Sequence, residues 1–317
     1  MTSLTPAAFA VALQAAREAA GAQDYPRGAL YVIATPIGNL ADITLRALHV
    51  LQLADAIACE DTRHTQAMLR AYGIERPGAQ LIALHQHNEA QAALTVSARL
   101  GRGERIAYVS DAGTPGLSDP GARLVRAVRE AGQRVLPLPG ASSVTTLLSG
   151  AGLTGGDDAG PFVFAGFLPS KATERAHALR ELAREPRAVI LLEAPHRIES
   201  LACALAVLGD RAVTVGRELT KQFEQIVTLP ARALTDWLSA DTQRTRGEFA
   251  LALHPLPRRD DPAAQADEGE RVLRLLLGEL PQLPLKSAAR LASAISGAPR
   301  NALYAIGLHL RADGAQD

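Results

Sequence analysis

Short apolar runs rich in β-branched residues alternate with segments of helical period along the first half of the chain. The runs predict strands at 30–34, 54–59, 80–84, 105–110 and 134–138. The segments between them predict helices over 41–53, 65–72 and 88–100, and Asp119-Pro120 is typical of the start of another helix. Because strands that alternate with helices are joined by crossovers, this half is predicted to be an α/β domain with mainly parallel pairing.

The second half repeats the alternation after a predicted domain joint rich in glycine and aspartate at 154–161. Strands are predicted at 162–167, 188–192, 212–215 and 249–254, and helices at 171–184, 196–208 and 234–239. This half is therefore predicted to be a second α/β unit.

The ends of the chain have a different pattern. The first 28 residues are alanine-rich and predict a tail with one helix over 7–20. Downstream, residues 256–270 carry five acids and are interpreted as a solvated linker. Two helices, 285–292 and 297–304, then resemble a helix-turn-helix unit. The predicted organisation is a tail (1–28), an N-terminal α/β domain (29–140), a C-terminal α/β domain (141–255), an acidic linker (256–270) and a helical domain (271–317).

The charge balance limits the kinds of partner that the protein can have. The 317 residues include 33 Lys plus Arg and 33 Asp plus Glu, so the net charge is zero. This excludes a uniformly basic nucleic-acid binder and leaves local basic patches open. Residues 284–312 carry Lys286, Arg290 and Arg300 and no acid, which makes them a candidate RNA-binding surface. An ordinary solvated face is the alternative.

Cysteine usage and hydropathy give no sign of secretion or membrane insertion. Cys59 and Cys203 lie far apart in apolar contexts, which predicts two buried free thiols and no metal site. The first residues lack the basic start and apolar core of a signal peptide, and no apolar run reaches the roughly 20 residues that span a bilayer. We expect a cytoplasmic protein.

Three loops that directly follow predicted strands carry small and polar residues. They are 35–39, 110–116 and 139–143, and none matches a Gly-x-Gly-x-x-Gly or P-loop motif. In open α/β sheets, ligands bind beyond the carboxyl ends of strands, so these loops predict a small-ligand site. Asp111 could anchor an amine or a ribose hydroxyl, and Ser142 and Ser143 could donate to a carboxylate. Tight strand-to-helix turns are the alternative for any single loop.

Charged clusters follow other strands. Residues 60–65 (EDTRHT) could form a polar wall for a substrate that bears phosphate or hydroxyl groups, or simply cap the next helix through Asp61 or Thr62. His85 and His87 have no obvious third ligand, so zinc is not favoured. The charged residues of 217–221 follow a strand as well, and an ordinary salt bridge is an equal alternative there.

Long runs of this sequence resemble the tetrapyrrole methylase superfamily, and more closely its ribosomal branch, the small-subunit (16S) rRNA cytidine-2′-O-methyltransferase I family. The matching stretches are 30–44 (LYVIATPIGNLADIT), 60–65 (EDTRHT), 87–89 (HNE), 110–115 (SDAGTP), 119–121 (DPG), 137–140 (PLPG), 166–169 (GFLP), 196–197 (HR), 217–221 (RELTK) and 247–248 (GE). The resemblance implies two α/β domains with S-adenosylmethionine in the cleft between them, and a helical tail. It is compatible with a homodimer.

The resemblance also implies roles for individual residues. The expected cofactor-binding residues are Pro36, Ser110, Asp111, Ala112, Gly113, Thr114, Ser142, Ser143, Phe167, Leu168, Glu193, Ala194, Glu248 and Phe249. The loops 35–39 and 60–65 are expected to face the acceptor, which makes Asn39 and Thr65 expected RNA-binding residues. Lys286, Arg290 and Arg300 are expected to bind RNA because of the charge of their segment, not because of the resemblance.

A ribose 2′-hydroxyl becomes a good nucleophile only as its proton leaves, so a general base is expected. Asp61, Glu60 and His87 are the candidate bases, with Asp61 preferred, and Arg63 could bind a neighbouring phosphate. The expected function is 2′-O-methylation of a cytidine in 16S rRNA. A methyltransferase acting on a tetrapyrrole or another small molecule is the first alternative, and a non-catalytic RNA-binding protein is the second.

Overall fold

The computed structural model describes residues 6–85, 88–117, 121–153, 160–256, 262–280 and 282–313. The chain divides into two compact units, Met1–Leu256 and Pro257–Asp317. The predicted helix start at Asp119-Pro120 and most of the predicted joint at 154–161 lie outside the described residues.

The first half of the larger unit is built around a parallel sheet. Its strands are β1 (Ala29–Ile33), β2 (Ala56–Cys59), β3 (Leu81–Ala83), β4 (Ile106–Val109) and β5 (Arg134–Leu138). Its helices are α1 (Pro6–Ala20), α2 (Leu45–Leu53), α3 (Thr62–Ala71), α4 (Glu89–Gly101) and α5 (Ala122–Glu130). The strand order is β3-β2-β4-β1-β5, and every pair is parallel.

The apolar strands are continuous because both faces of this sheet are covered. In β1, Tyr31 and Ile33 join the core formed with α1, α2 and α3, whereas Leu30 and Val32 join the core formed with α4 and α5. The period of two along the strand thus distributes the side chains between two helical layers. The predicted α/β architecture of this half is confirmed.

The N-terminal segment is more than a tail. The predicted helix is present as α1, and Leu13, Ala16 and Ala20 of this helix are buried in the core with α2 and α3. Phe9 packs edge-on against Tyr72, with ring centroids 4.9 Å apart. Apolar residues recur every three or four positions along α1, so one face of the helix can be buried.

The second half of the larger unit contains a mixed sheet. Its strands are β6 (Phe162–Gly166), β7 (Ala188–Glu193), β8 (Ala212–Arg217), β9 (Gln225–Pro230) and β10 (Phe249–Leu253). Its helices are α6 (Ser143–Ala151), α7 (Ala172–Leu182), α8 (Ile198–Leu205) and α9 (Leu234–Ser239). The strand order is β6-β7-β10-β8-β9, in which only β6 and β7 pair in parallel.

Both faces of the mixed sheet are covered as well. Helix α6 packs on one face through Val144 and Leu147, and α7, α8 and α9 pack on the other. Strand β9 was not predicted from the sequence, because it is a half-exposed edge strand without a continuous apolar run.

The smaller unit is helical and contradicts the predicted acidic linker. Its helices are α10 (Pro262–Glu279), α11 (Leu285–Ser296) and α12 (Arg300–Asp313), so much of 256–270 is helix. The acids at Glu268 and Glu270 pair with Arg271 and Arg274, each at 2.7 Å, three or four residues further along α10. These acids therefore belong to the charged face of a helix, and the prediction of a solvated linker is wrong for this segment.

A compact apolar core holds these three helices together. Leu273, Leu285, Ala288, Ala292 and Leu303 are buried in it. None of the described helices in either unit is long and apolar enough to cross a membrane.

The two cysteines differ in accessibility, contrary to the expectation that both are buried. Cys59 is buried at the end of β2, and burial raises the pKa of its thiol to about 11. Cys203 is exposed, because Leu201, Ala202 and Leu205 form the core-facing side of α8 and Cys203 lies on the other side.

We expect a thiol reagent at neutral pH to label one cysteine of the native protein and two of the denatured protein. Cys203→Ser is the control and should abolish the native labelling, since the Cys59 thiol is both buried and protonated. Equal and rapid labelling of both cysteines in the native protein would contradict the structure. Mass spectrometry of the labelled protein gives the count.

Candidate functional site

The carboxyl ends of the parallel strands meet at one edge of the first sheet. Strand β4 lies between β2 and β1. The helices that follow β1 and β2 pack on one face, whereas α5, which follows β4, packs on the opposite face. Connections that leave for opposite faces open a crevice between neighbouring strand ends. The loop after β4 therefore lies at the position where α/β sheets bind ligands.

Hydrogen bonds join the loops that follow β1 and β4. Thr35 and Gly113 exchange two backbone hydrogen bonds, of 2.9 and 3.0 Å. The Thr35 hydroxyl donates to the carbonyl of Ser110 at 3.1 Å, and the Ser110 hydroxyl donates to the carbonyl of Gly113 at 3.0 Å. Gly113 has a φ of +81°, and a Cβ there would lie 3.2 Å from Ile37 Cγ2. The backbone conformation therefore favours glycine at this position, and a Cβ would also press against Ile37.

The loop after β5 is joined to the same surface. The Thr114 hydroxyl donates to the carbonyl of Ala141 at 2.9 Å. Ser142 is buried and is the N-cap residue of α6, while Ser143 is the first residue of that helix. The first backbone N–H groups of a helix have no partner within the helix, so this terminus can bind a negatively charged or electron-rich group.

Two adjoining cavities open beside these loops. Both are lined by Ala112, Ser143 and Leu192, and their volumes are about 180 and 320 Å³. The smaller cavity is also lined by Glu60, Ser110, Asp111, Gly113, Thr114, Leu117, Ser142 and Val144. The larger is also lined by Ile37, Phe167, Glu193, Ala194, Pro195, Leu219, Glu248, Phe249 and Ala250. Their combined size suits a small organic ligand.

The expected cofactor-binding residues mostly line these cavities. The exceptions are Pro36 and Leu168, which are buried and line neither of the two. The backbone carbonyl of Leu168 accepts a hydrogen bond from the Arg197 guanidinium. The structure therefore gives Leu168 a role in holding Arg197 in place.

Glu193 has an unusual environment in the larger cavity. It is the last residue of β7, and only 2% of its surface is exposed. Its Oε1 accepts from the Ala194 N–H at 2.9 Å and lies 3.0 Å from Arg197 Nε, whereas Oε2 is buried without a hydrogen-bond partner. A buried carboxylate oxygen without a donor is costly, so this atom is suited to accept a hydrogen bond from a bound ligand.

Asp61 caps a helix, which was the structural alternative for this cluster. Its Oδ1 accepts from the N–H groups of Arg63 at 2.7 Å and His64 at 3.3 Å, at the start of α3. These two donors lower the pKa of the Asp61 carboxyl group, which makes it a weaker proton acceptor. Its backbone N–H donates to Asp111 Oδ1 at 3.1 Å and ties the end of β2 to the loop after β4.

The other residues that are expected to face the methyl acceptor differ in their exposure. Thr65, which is predicted to contact RNA, is only 1% exposed. The reason is that the first turn of α3 directs this position toward β2. Arg63 and Asn39 are exposed, and the Asn39 side chain accepts from the Ala41 N–H at 3.1 Å. His87 lies outside the described residues.

The predicted RNA-binding residues of the smaller unit lie on its surface. Lys286 and Arg290 are one turn apart on the exposed side of α11, and Arg300 is the first residue of α12. All three are exposed.

Sequence reasoning missed the apolar part of the lining. Ile37, Leu192, Leu219 and Ala250 come from both sheets, and nothing in their local pattern distinguishes them from ordinary core residues. Their positions gave a signal for three of them, since Ile37 lies in the predicted ligand loop 35–39, Leu192 at the end of a predicted strand and Leu219 in the cluster 217–221.

The family model of the tetrapyrrole (corrin/porphyrin) methylases matches residues 29–235, and the model described as the RsmI C-terminal HTH domain matches 263–311. Among curated proteins, the chain is 49% identical over 285 residues to "Ribosomal RNA small subunit methyltransferase I" of Escherichia coli O157:H7, covering 89% of this chain and 95% of that protein. It is 46% identical to the protein of the same name from Xylella fastidiosa, covering 87% and 98%.

Solved structures with similar folds are more distant in sequence. A cobalt precorrin-4 methyltransferase of cobalamin biosynthesis superposes with a TM-score of 0.52 at 20% identity, covering 73% of this chain and 98% of its own. A diphthine synthase gives a TM-score of 0.52 at 14% identity, covering 71% and 90%. At these identities the similarity concerns the fold alone, and it agrees with the two-sheet architecture.

We expect Glu193→Gln to weaken binding of S-adenosylmethionine, the cofactor implied by the sequence resemblance, by about 10- to 100-fold. The amide keeps one acceptor for Ala194 and places an NH2 group where the unpartnered Oε2 lies, so a ligand donor loses its acceptor. Isothermal titration calorimetry measures the affinity. Glu199→Gln, an exposed position on α8, is the matched control and should bind normally. Unchanged affinity in Glu193→Gln would show that Oε2 does not contact the cofactor.

Proposed function

Because the chain belongs to the tetrapyrrole (corrin/porphyrin) methylase family, we propose that it is an S-adenosylmethionine-dependent methyltransferase that 2′-O-methylates a cytidine of small-subunit (16S) rRNA. The observation that carries this proposal is identity of 43–49% to proteins named small-subunit rRNA methyltransferase I, over nearly their whole length. The match extends through the helical unit, which has its own family model.

The cavities fit the cofactor. S-adenosylmethionine supplies a methyl group already activated on a sulfonium, so the protein's main task is to align donor and acceptor. The loop 110–114 allows close approach to its backbone, and the start of α6 at Ser142 and Ser143 offers hydrogen-bond donors. The unpartnered Oε2 of Glu193 offers a buried acceptor. Adenosine and amino-acid groups need this combination of donors and acceptors.

The segment after β2 is proposed to face the ribose that accepts the methyl group. Glu60 lines the smaller cavity, whereas Asp61 does not, and the donors of the helix cap lower the pKa of the Asp61 carboxyl group. Glu60 is therefore the better candidate for the group that accepts the 2′-hydroxyl proton, and it replaces Asp61 in that role. Arg63, exposed on the first turn of α3, is suited to bind a neighbouring phosphate. His87 stays a second candidate base.

The two alternative functions are less well supported. A tetrapyrrole methyltransferase would share the cavities, but a cobalt precorrin-4 methyltransferase and the methyltransferase CobJ are each only 20% identical to this chain and do not favour their substrates here. A non-catalytic RNA-binding protein would have no use for a buried, unpartnered carboxylate oxygen in a cavity lined by small residues. With rRNA as substrate, we place the enzyme in the cytoplasm, and a homodimer stays part of the proposal.

The decisive experiment is transfer of a labelled methyl group from S-adenosylmethionine to undermethylated 16S rRNA and to 30S subunits. We expect label on the ribose of a cytidine, located by nuclease digestion and mass spectrometry of the nucleosides. Heat-denatured enzyme and fully methylated subunits are the controls. Label on a base, or only on a small molecule, would contradict the proposal.

We expect Lys286→Gln/Arg290→Gln to raise the KM for RNA without changing the affinity for S-adenosylmethionine. Each lost phosphate contact should lower the slope of log affinity against log salt by about 0.7 to 0.9. The matched control is Arg271→Gln/Arg274→Gln, which removes the same charge from arginines that Glu268 and Glu270 already neutralise. Equal loss of RNA affinity in both double variants would mean that only the net charge matters.

A further inference from the structure

The loop between β8 and β9, residues 218–224, has an unfavourable backbone conformation. Glu218 has a φ of 52° and Thr220 a φ of 67°, and among the described residues these are the two non-glycine positions with positive φ. Side chains with a Cβ rarely adopt this region, because the Cβ approaches the following carbonyl. Such strain persists only where surrounding contacts maintain it, and it is concentrated at functional sites.

The first half of the loop is fixed by Glu218. Its N–H donates to the carbonyl of Glu248 at 3.0 Å, and its Oε1 accepts from the Glu248 N–H at 3.0 Å. Lys221 Nζ donates to Glu218 Oε1 at 2.8 Å and to Glu248 Oε2 at 3.1 Å. Gly247 has no side chain to obstruct this arrangement, since a Cβ there would lie 2.4 Å from the Glu218 carboxylate group.

The second half is fixed from two other directions. The buried Arg217 guanidinium donates to the carbonyl of Arg246 at 2.7 Å and to the carbonyl of Phe223 at 3.3 Å. The stem of Lys221 lies on Gly38, where a Cβ would be 2.4 Å from Lys221 Cγ. The loop therefore contacts the segment after β1 as well as its own sheet, and these contacts restrain its conformation.

The loop places one residue in the cavity and another on the surface. Leu219 lines the larger cavity, and Arg217 at the base of the loop pairs in the sheet with Phe249, which lines it too. Phe223 is 69% exposed, in a chain with only six phenylalanines. The Lys221 ammonium is neutralised by two carboxylates, so an exposed aromatic ring is the feature that this loop presents to a partner.

We propose that Phe223 is a stacking platform for a nucleobase of the RNA substrate, next to the nucleotide that enters the cavity. This role rests on the proposed function. Sequence-specific recognition of RNA mostly targets single-stranded loops and bulges, and the unstacked bases there stack on exposed aromatic side chains. A ring on a rigid loop suits this role, because little conformational freedom is lost on binding.

The test compares the KM for RNA with the affinity for S-adenosylmethionine in a series of variants at Phe223. We expect Phe223→Ala and Phe223→Leu to raise the KM for RNA about 5- to 100-fold, because the energy of stacking one base is lost. Phe223→Tyr and Phe223→Trp should stay close to wild type, and the affinity for S-adenosylmethionine should stay the same in all four. Phe162→Ala is the matched control, since Phe162 is 45% exposed on the opposite edge strand of the same sheet.

Several results would overturn the role. A wild-type KM for Phe223→Ala would show that the ring does not contact RNA, and a wild-type KM for Phe223→Leu would replace stacking by a general apolar contact. A smaller particle mass for Phe223→Ala, by light scattering, would assign the ring to an interface between copies of the chain. If the wild-type enzyme methylates no RNA, the proposed function itself fails, which is distinct from a failure confined to the Phe223 variants.

Discussion

The pairing of β1 with β4 is the constraint on which the candidate site depends. The two strands are parallel, and just beyond them Thr35 and Gly113 exchange two further backbone hydrogen bonds. The loops after both strands therefore leave the sheet together. Because the helices that follow pack on opposite faces, a crevice opens at the end of β4 whatever the side chains are. Side chains then decide what fits in the crevice, and Gly113 lines the smaller cavity without adding a side chain to it.

The second sheet completes the site because most of its strands are antiparallel. Strand β10 lies between β7 and β8, and its first residue, Phe249, pairs with Glu193 on one side and Arg217 on the other. The carboxyl ends of β7 and β8 therefore meet the amino end of β10 at one edge. This brings together Glu193, Glu218 and Glu248, which are far apart in the sequence. One edge of the sheet thus contributes both the cavity wall and the strained loop.

A structural element could be predicted from the sequence where its own residues determine it, and could not where its packing partners do. The strands of the first sheet are buried on both faces and carry continuous apolar runs, so their ends, and with them the loop 110–114, could be located. Strand β9 could not, because an edge strand is formed by its partner rather than by its own apolar residues. The exposure of Cys203 could not be predicted, because tertiary packing decides which side of a helix is buried. The acids of α10 were misread because a charged helix face and a solvated linker have similar composition.

The zero net charge affects how the protein can attract its substrate. Many acids and bases are paired locally, as Glu218 with Lys221, Glu193 with Arg197 and Glu268 with Arg271. Such pairs hold the two side chains in a defined geometry, and they contribute little to the long-range electrostatic field of the protein. A neutral chain therefore attracts a polyanion weakly at a distance, and its recognition of the proposed RNA substrate has to rely on short-range contacts. In the proposed function, a few exposed cations, a shaped cavity and the Phe223 ring would supply those contacts, and they would select for nucleotide shape rather than for charge.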